Sequence, residues 1–232
     1  VAFGTGDFTV EGWWYYRVAL EQYDYLMDCR NASQTTGTWS LSHDYTGTTS
    51  PAGLLQFSTD STALLTSSRN PEAYQWNHIA VTRSGSALKM FINGEQTASA
   101  TDTTNFSTEP TISYFGSRHS TAHSFDGWMS NIRIVKGTAV YTQNFSVPTE
   151  PLTAISGTTL LCAQDKNRLG SAVITNTTTA LLNAPLSSTP FADSSSTSAT
   201  ITNTGSIATA SAGTNSFNIT NAASLDGSSQ RI

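Results

Sequence analysis

The stretch Trp76-Asn-His-Ile-Ala-Val-Thr-Arg83, with Ala87-Leu-Lys-Met-Phe-Ile-Asn-Gly94 shortly after it, decides the fold. In both halves apolar residues alternate with their neighbours, a period of two that is typical of a strand with one buried face. Ser84-Gly-Ser86 predicts a turn between the strands. Asn93-Gly94 predicts a tight hairpin turn, because this dipeptide readily takes positive φ at both central positions. The stretch therefore predicts a three-stranded antiparallel meander, whose third strand runs through Glu95–Ser99.

Two further segments have strand-like alternation: Phe3-Gly-Thr-Gly-Asp-Phe-Thr-Val-Glu-Gly-Trp13 and Phe125-Asp-Gly-Trp-Met-Ser-Asn-Ile-Arg-Ile-Val135. In this order the three phrases resemble the laminin-G-like, concanavalin A-like family of jelly-roll domains, and the resemblance covers residues 1–162. It implies an all-β fold, a jelly-roll β-sandwich of two packed antiparallel sheets. The side chains expected inside are apolar residues at alternating positions on several strands: Trp14, Ile79, Val81, Leu88, Met90, Ile92, Ile132 and Ile134.

Two later segments are similar in sequence to members of this family found in tailed-phage virion proteins, marine and cyanophage-like ones among them. The segments are Lys136-Gly-Thr-Ala-Val-Tyr-Thr142 and Asn144-Phe-Ser-Val-Pro148. The resemblance implies a virion structural or adhesion module, such as coat decoration, an appendage or a tail fibre. Its location would be the virion surface or another extracellular setting. Its partners would be copies of itself or other virion proteins. The alternative left open is a receptor-recognition lectin domain that binds a host surface glycan.

The composition is that of a polar, weakly charged chain, with 12% charged residues and a net charge of −5. It has no basic patch with interleaved aromatic residues, so we expect no nucleic-acid partner. No apolar run approaches the ~20 residues of a membrane span, so we expect none. The chain begins inside the phrase that starts at Phe3 and has no initiator Met, so we interpret it as a piece of a larger polypeptide.

Residues 163–232 differ in composition from the rest of the chain, because Ser, Thr, Asn and Ala dominate and aromatic residues nearly vanish after Asp165. We expect residues 1–162 to form the laminin-G-like sandwich and residues 163–232 to form a C-terminal β extension of short strands and linkers. Partial disorder of the extension is the alternative, since few of its residues could bury apolar surface.

The end of the extension, Ala223-Ser-Leu-Asp-Gly-Ser-Ser-Gln230, resembles the opening strand of the same family. This predicts a tandem array whose next repeat starts here, unless the similarity is a coincidence in a Ser-rich tail. An open sheet edge is an aggregation template unless it is covered. We therefore expect part of 215–232 to add to a sheet edge by main-chain pairing, either within the chain or with a neighbouring copy.

Carboxylates at the spacing that glycoside hydrolysis requires are few. Two acids must project from one face of a strand, which places them two or four residues apart. Glu21 and Asp24 have the wrong parity, whereas Asp24 and Asp28 have the right parity but no third acid beside them. The sequence therefore predicts a protein without catalytic residues, and a secreted polysaccharide-degrading enzyme is the least favoured alternative.

Metal ligands give a weak signal. His119 and His123 would share a face only on a helix, and none is predicted there, so we expect an exposed loop. The sequence requires no cofactor. The family resemblance implies calcium on the rim of the sandwich, bound by carboxylate and carbonyl oxygens. Asp44, Asp60 and Asp102 are loop acids that could serve, but none of them maps onto a family ligand.

The two cysteines, Cys29 and Cys162, both lie in strand-like surroundings. Buried free thiols are the favoured interpretation, because free cysteine is among the most buried residue types. A disulfide between them stays open, since it requires Cα atoms within about 7 Å of each other.

Aromatic residues are the remaining binding signal. Alternation along the first strand puts Trp14 and Tyr16 on one face, and Trp13 and Tyr15 on the other. One face must be core, and the other is either covered by a loop or free to stack on sugars. The candidate glycan platform consists of residues on this face and other aromatic residues of the first 162: Trp13, Trp39, Tyr45, Tyr114 and Trp128.

Overall fold

The computed structural model describes the greater part of the first 164 residues and the main chain of three short strands beyond them. The described ranges are 1–17, 24–30, 37–44, 53–60, 62–110, 112–119, 123–164, 173–174, 209–210 and 222–226. In these ranges the chain forms strands and no helix, so none of the described residues belongs to a helix that could cross a membrane. The candidate platform residue Tyr45 lies outside the described residues.

The strands form two sheets in which neighbouring strands pair antiparallel. In chain order they are β1 (Phe8–Tyr16), β2 (Tyr25–Cys29), β3 (Trp39–His43), β4 (Leu55–Thr59), β5 (Thr62–Thr66), β6 (Trp76–Ser84), β7 (Ala87–Ile92), β8 (Glu95–Thr101), β9 (Tyr114–Phe115), β10 (Asp126–Lys136), β11 (Thr158–Cys162), β12 (Val173–Ile174), β13 (Thr209–Ala210) and β14 (Ala222–Asp226). The larger sheet runs β12-β11-β10-β1-β6-β7-β8, and β14 pairs with both β10 and β13. The smaller sheet runs β5-β4-β3-β2-β9. The predicted all-β sandwich is confirmed.

The predicted meander is β6, β7 and β8. Asn93 and Gly94 have φ values of 52° and 80°, so both central residues of the β7–β8 turn are left-handed, as the Asn-Gly pair requires. The third strand runs two residues further than expected, to Thr101.

The core lies between the two sheets and contains every side chain that alternation predicted for it. Trp14, Ile79 and Ile134 are each at most 1% exposed. Aromatic rings fill one end of this core, where Phe3 stacks on Phe8 with ring centroids 4.1 Å apart. Burial of such rings is the main favourable term that holds the sheets together.

The face of the larger sheet that points away from the core is covered by residues 137–148, which we call the strap. Phe145 donates its main-chain N–H to the carbonyl of Gly94, so the strap reaches the β7–β8 turn. Side chains of the sheet donate to main-chain carbonyls of the strap: Thr9 to Thr138, Thr82 to Tyr141, and Lys89 to Thr142. The strap is therefore held in part through its own backbone.

A buried acid fixes the strap to the sheet. Glu11 on β1 is fully buried, and its Oε2 accepts a hydrogen bond of 2.8 Å from the hydroxyl of Tyr141 in the strap. His78 Nε2 lies 3.2 Å from the same oxygen, while Arg133 donates to Oε1. Burial alone would raise the pKa of Glu11, but the contacts with His78 and Arg133 outweigh burial and lower it. Glu11 is therefore an ionised structural group.

The strand β14 fills part of a sheet edge. Residues Ala223–Asp226 pair with Asp126–Met129 of β10, on the edge opposite β1, while β11 pairs further along with Ile132–Val135. The expectation that part of 215–232 adds to a sheet edge is confirmed within one chain. Pairing with a neighbouring copy, the tandem array and a boundary at residue 162 stay predictions.

The two cysteines are separate buried thiols, as predicted. Burial raises the pKa of Cys29 to about 11 and that of Cys162 to about 12. Both are therefore protonated and unreactive at neutral pH.

Candidate functional site

Three aromatic side chains stand side by side on the outer face of the larger sheet, beyond the end of the strap. Tyr15 on β1 lies opposite Trp76 on β6 and opposite Trp128 on β10. The ring centroid of Tyr15 is 5.8 Å from that of Trp76 and 4.6 Å from that of Trp128. We call these three residues the aromatic row. Cross-strand aromatic pairs of this kind stabilise a sheet while they leave ring surface on its face.

The row is supported from the strap side. Trp13, two residues before Tyr15 on the same face, is 3% exposed, and its ring packs edge-on against His78 at 5.2 Å. Val147 of the strap joins the same cluster. Trp13 is thus a support, and the expectation that it forms part of a glycan platform is wrong. Tyr15 and Trp128 remain partly exposed, and Trp76 is 9% exposed.

The row offers ring surface more than hydrogen bonds. The indole nitrogens of Trp76 and Trp128 are enclosed, and no acceptor among the described residues is bonded to them. Rings with buried N–H groups and open faces can stack on apolar surface such as the C–H face of a sugar. Such ring surface contributes affinity for a ligand, and neighbouring polar groups must fix the orientation of that ligand.

A charged pair lies directly beside the row. Arg17 follows β1, and Asp126 begins β10, where the Arg17 N–H donates to the Asp126 carbonyl at 3.2 Å. The Arg17 Nε atom is 3.0 Å from Asp126 Oδ1, and the two side chains are 36% and 21% exposed. By strand alternation both residues share the face of Tyr15 and Trp128.

Close contact between β1 and β10 positions the row. A Cβ atom at Gly127 would collide with the carbonyl oxygen of Tyr15 and with the ring of Phe125. Only glycine therefore allows the two backbones to approach here, with Trp128 next to Tyr15.

Behind the charged pair lies a buried acid, Asp24, which is 5% exposed. Burial, and then the negative charge of Asp126, raise the pKa of Asp24 to about 7. A carboxyl that keeps its proton near neutral pH has the acidity of a general acid. It is nonetheless enclosed, with little surface open to a substrate.

The other predicted acid, Asp28, is fully buried and engaged. Arg30 Nε donates to its Oδ1 at 2.8 Å, and His119 Nδ1 lies 3.0 Å from its Oδ2. Burial alone would raise the pKa of Asp28, but the hydrogen bond and charge of Arg30 outweigh burial and lower it. The structure also corrects the expectation for His119, whose side chain is 12% exposed and not a free loop residue.

Two other predicted platform residues lie elsewhere. Trp39 is 1% exposed in the core, where its ring packs on Phe57 and its indole N–H donates to the Val1 carbonyl. It cannot stack on a ligand, so the structure contradicts this prediction. Tyr114 is partly exposed on β9 of the smaller sheet, away from the aromatic row.

The three loop acids do not form a calcium site in the described part of the chain. Asp102 is paired with Arg83, whose Nη1 lies 3.2 Å from Asp102 Oδ2, and Thr104 donates to Oδ1. Asp44 is buried, and Asp60 accepts a bond from Arg30 through its carbonyl. The described residues contain no group of three or more His, Cys, Asp or Glu side chains that could hold a metal ion. Both carboxylate oxygens of Asp102 are thus engaged within the chain, and calcium binding by Asp44, Asp60 or Asp102 stays a prediction.

A shallow open groove of about 550 Å³ lies where the strap meets β7 and β8, lined by Lys89, Gln96, Gln143 and Asn144. Its polar groups are partly engaged, since Lys89 donates to the Thr142 carbonyl and Asn144 accepts from the Gln96 N–H. It lacks aromatic surface, and the aromatic row is the stronger candidate.

Sequence reasoning named Trp128 but missed the other members of the site: Tyr15, Trp76, Arg17 and Asp126. Strand alternation did place Tyr15 on the right face. The cross-strand register, which brings residues from β1, β6 and β10 together, was the missing information.

A family model described as the concanavalin A-like lectin/glucanases superfamily matches residues 1–140. No curated protein matches the chain. Among solved structures, the chain is similar to a candidate carbohydrate binding protein from Bacteroides ovatus ATCC 8483. The TM-score is 0.52 at 18% identity, over 69% of this chain and 46% of that one.

Two further structures show weaker likeness. One is domain 4 of AbnA, a GH43 extracellular arabinanase from Geobacillus stearothermophilus, in complex with arabinotriose. Its TM-score is 0.43 at 17% identity, over 59% of this chain and 64% of that one. The other is domains LG4-5 of the mouse laminin alpha1 chain, with a TM-score of 0.42 at 16% identity, over 64% of this chain and 43% of that one. The chain spans less than half of the Bacteroides protein, and at such identity the likeness shows the fold alone.

Proposed function

We propose that this chain, which belongs to the concanavalin A-like lectin/glucanase superfamily, is a non-enzymatic module that binds glycans on its aromatic row. One observation carries the proposal: Tyr15 and Trp128 are both partly exposed on neighbouring strands of the sheet, with their ring centroids 4.6 Å apart. Sugar rings have an apolar C–H face that packs on aromatic rings, and the adjacent Arg17 and Asp126 can bond to hydroxyl groups. Rings fixed by cross-strand packing lose little freedom on binding.

The absence of catalysis is part of the proposal. Glycoside hydrolysis needs one carboxyl as acid and a second as base or nucleophile, both in reach of the bond that breaks. Glu11 and Asp28 are buried and bonded to arginines, and Asp24 is enclosed. Among the described acids this leaves Asp126 as the one carboxylate beside the row, and it lies against Arg17.

The biological setting we propose is adhesion at a virion surface or in another extracellular place, with a host surface glycan as ligand. It is supported by the resemblance of the strap sequence to tailed-phage virion proteins. Assembly with copies of itself or other virion proteins is the second candidate function; it would use the pairing that β14 makes with β10, formed between two chains instead of within one, because main-chain pairing can join subunits. Light scattering of the parent protein that shows only monomer at micromolar concentration would contradict assembly.

A glycan array followed by calorimetry tests the binding proposal. We expect a glycan ligand whose affinity falls about fivefold or more in Trp128→Ala, since loss of a stacked ring costs about 1 kcal/mol or more. Tyr114→Ala is the matched control, because Tyr114 is also a partly exposed strand aromatic but lies on the other sheet. Equal affinities in wild type and Trp128→Ala would refute the site.

The same glycans test the absence of catalysis. Incubation with the protein should release no reducing ends. Release that disappears in Asp24→Asn or Asp28→Asn would show that the protein is a hydrolase.

A further inference from the structure

We propose that Arg118 and His119, which follow β9 at the edge of the smaller sheet, bind the phosphate group of a soluble phosphate monoester. The site lies on a different sheet from the aromatic row and does not depend on the proposed glycan function. Three features carry it: a guanidinium without an anion, a histidine nitrogen that is both oriented and open, and the match of this pair to phosphate.

Arg118 has no counter-ion. Among the described residues it is the one arginine whose guanidinium makes neither a hydrogen bond nor an ion pair. Its guanidinium carbon lies 5.9 Å from the centroid of the Tyr25 ring, and its side chain is partly exposed. Nε is enclosed, but Nη1 and Nη2 are not. The two Nη groups therefore present donors in one plane to an external anion.

The acid of this region, Asp28, is already fully engaged and does not neutralise Arg118. Asp28 is 0% exposed; its Oδ1 accepts from Arg30 Nε, and its Oδ2 accepts from Arg30 Nη2 and from the main-chain N–H of His119. The charge of Arg118 acts on its surroundings, since burial, and then this charge, lower the pKa of His123. An anion bound at Arg118 would meet a positive charge that no carboxylate offsets.

His119 is held in one orientation by Asp28. Its Nδ1 atom lies 3.0 Å from Asp28 Oδ2, and its ring is 12% exposed. Burial alone would raise the pKa of Asp28, but the hydrogen bond and charge of Arg30 outweigh burial and lower it, so Asp28 is ionised and the Nδ1 atom carries a proton. Nε2 of the neutral ring is then an acceptor. It has no partner among the described residues, and it is not enclosed.

Phosphate matches this pair better than other anions do. A phosphate monoester has a second pKa of about 6, so near neutral pH it carries up to two negative charges and exchanges a proton readily. Its oxygens can accept from Arg118, and its proton can be shared with Nε2 of His119. A sulfate ester has no proton to share and a single negative charge. A lipid phosphate is disfavoured, because a chain of net charge −5 is repelled by an anionic membrane.

Calorimetric titration of the full chain near pH 7 with methyl phosphate tests the site, and methyl sulfate is the comparison ligand. Arg118→Gln removes the cation. Arg69→Gln is the matched control, because Arg69 is also partly exposed but is paired with Glu95. His119→Asn keeps an N–H near the position of Nδ1 for the bond to Asp28 and removes Nε2. Vesicles that contain phosphatidic acid present the same group on a membrane.

We expect methyl phosphate to bind about tenfold more weakly or worse in Arg118→Gln, and about fivefold more weakly in His119→Asn. Arg69→Gln and Trp128→Ala should leave this affinity unchanged, methyl sulfate should bind the wild type about fivefold more weakly, and the vesicles should not bind. In NMR spectra of the wild type, methyl phosphate should shift the ring signals of His119 and not those of the buried His43, which tests the site even if a variant does not fold.

Four results would overturn the proposal. They are the absence of binding at millimolar methyl phosphate, equal affinity in wild type and Arg118→Gln, equal binding of methyl phosphate and methyl sulfate, and unchanged His119 signals. Binding of the vesicles as tight as that of methyl phosphate would overturn the assignment of a soluble ligand. Loss of glycan binding in Trp128→Ala with phosphate binding intact would show that the two sites are separate.

Discussion

Arg133 donates two hydrogen bonds to the Oε1 atom of Glu11, from Nε at 2.8 Å and from Nη2 at 2.6 Å, and both side chains are buried on the outer face of the larger sheet. This pair links β1 to β10 beneath the strap. The same carboxylate also accepts a hydrogen bond from the hydroxyl of Tyr141, so one acid joins β1, β10 and the strap.

We predict that Glu11→Ala lowers the free energy of unfolding by about 3–5 kcal/mol, because it leaves the Arg133 charge buried and unpaired. Urea unfolding at neutral pH measures the change. Glu95→Ala, which removes an exposed ion pair with Arg69, should cost at most about 1 kcal/mol. Similar losses of unfolding free energy in the two variants would show that the buried Glu11–Arg133 pair contributes no more to stability than the exposed pair.

Asp24 should make the protein less stable as pH rises. Its pKa is about 7 in the folded chain, above the ordinary value of 3.8, so the folded state holds a proton that the unfolded state has lost. The free energy of unfolding therefore falls from about pH 4 to pH 7, by at most about 4 kcal/mol from this group. Asp24→Asn should raise the melting temperature at pH 8 and change it little at pH 4. The same gain at both pH values would refute the assignment.

Gly127→Ala should disturb the aromatic row. The added methyl group meets the Tyr15 backbone, which cannot rotate away, so we expect a loss of about 1–3 kcal/mol or more and weaker glycan binding. Gly6→Ala is the control, since its Cβ has only an ordinary contact and we expect a change below about 1 kcal/mol. Thermal melts and calorimetry measure both effects.

Removal of β14 should expose the edge of β10. A chain cut after Gly213 should aggregate or melt at a clearly lower temperature. Addition of a peptide of residues 215–232 should restore its solubility and stability. A chain cut after Asp226 keeps β14 and serves as the control. A protein cut after Gly213 that stays soluble, monomeric and equally stable would show that the tail is a linker.

The sequence predicted the parts of the fold that rest on local patterns. The β6–β8 meander, its Asn93-Gly94 turn and the alternating core residues follow from period two and from the turn chemistry of single residues. These features involve neighbours in the chain, so no knowledge of distant contacts was needed.

The candidate site depends on contacts between residues that are far apart in the chain, and the sequence predicted these contacts less well. Trp13 and Tyr15 share a face, but the strap covers one and leaves the other partly open. From the sequence alone, Asp102 has the pattern of a loop acid without a partner. In the structure Arg83 of β6 forms an ion pair with it. Both outcomes depend on the path of distant segments, which has no local signal.

The strap is specified largely by residues outside it. Its carbonyls are recognised by Thr9, Thr82 and Lys89, side chains that belong to strands far away in the chain. Four strap side chains contact the sheet: Tyr141, Asn144, Phe145 and Val147. The hydrogen bonds from Thr9, Thr82 and Lys89 instead reach main-chain atoms of the strap, which every amino acid possesses. Its other positions, except Gly137 with its φ of 86°, are therefore free to vary, and a library randomised there should yield folded proteins with new surface chemistry around an unchanged binding face.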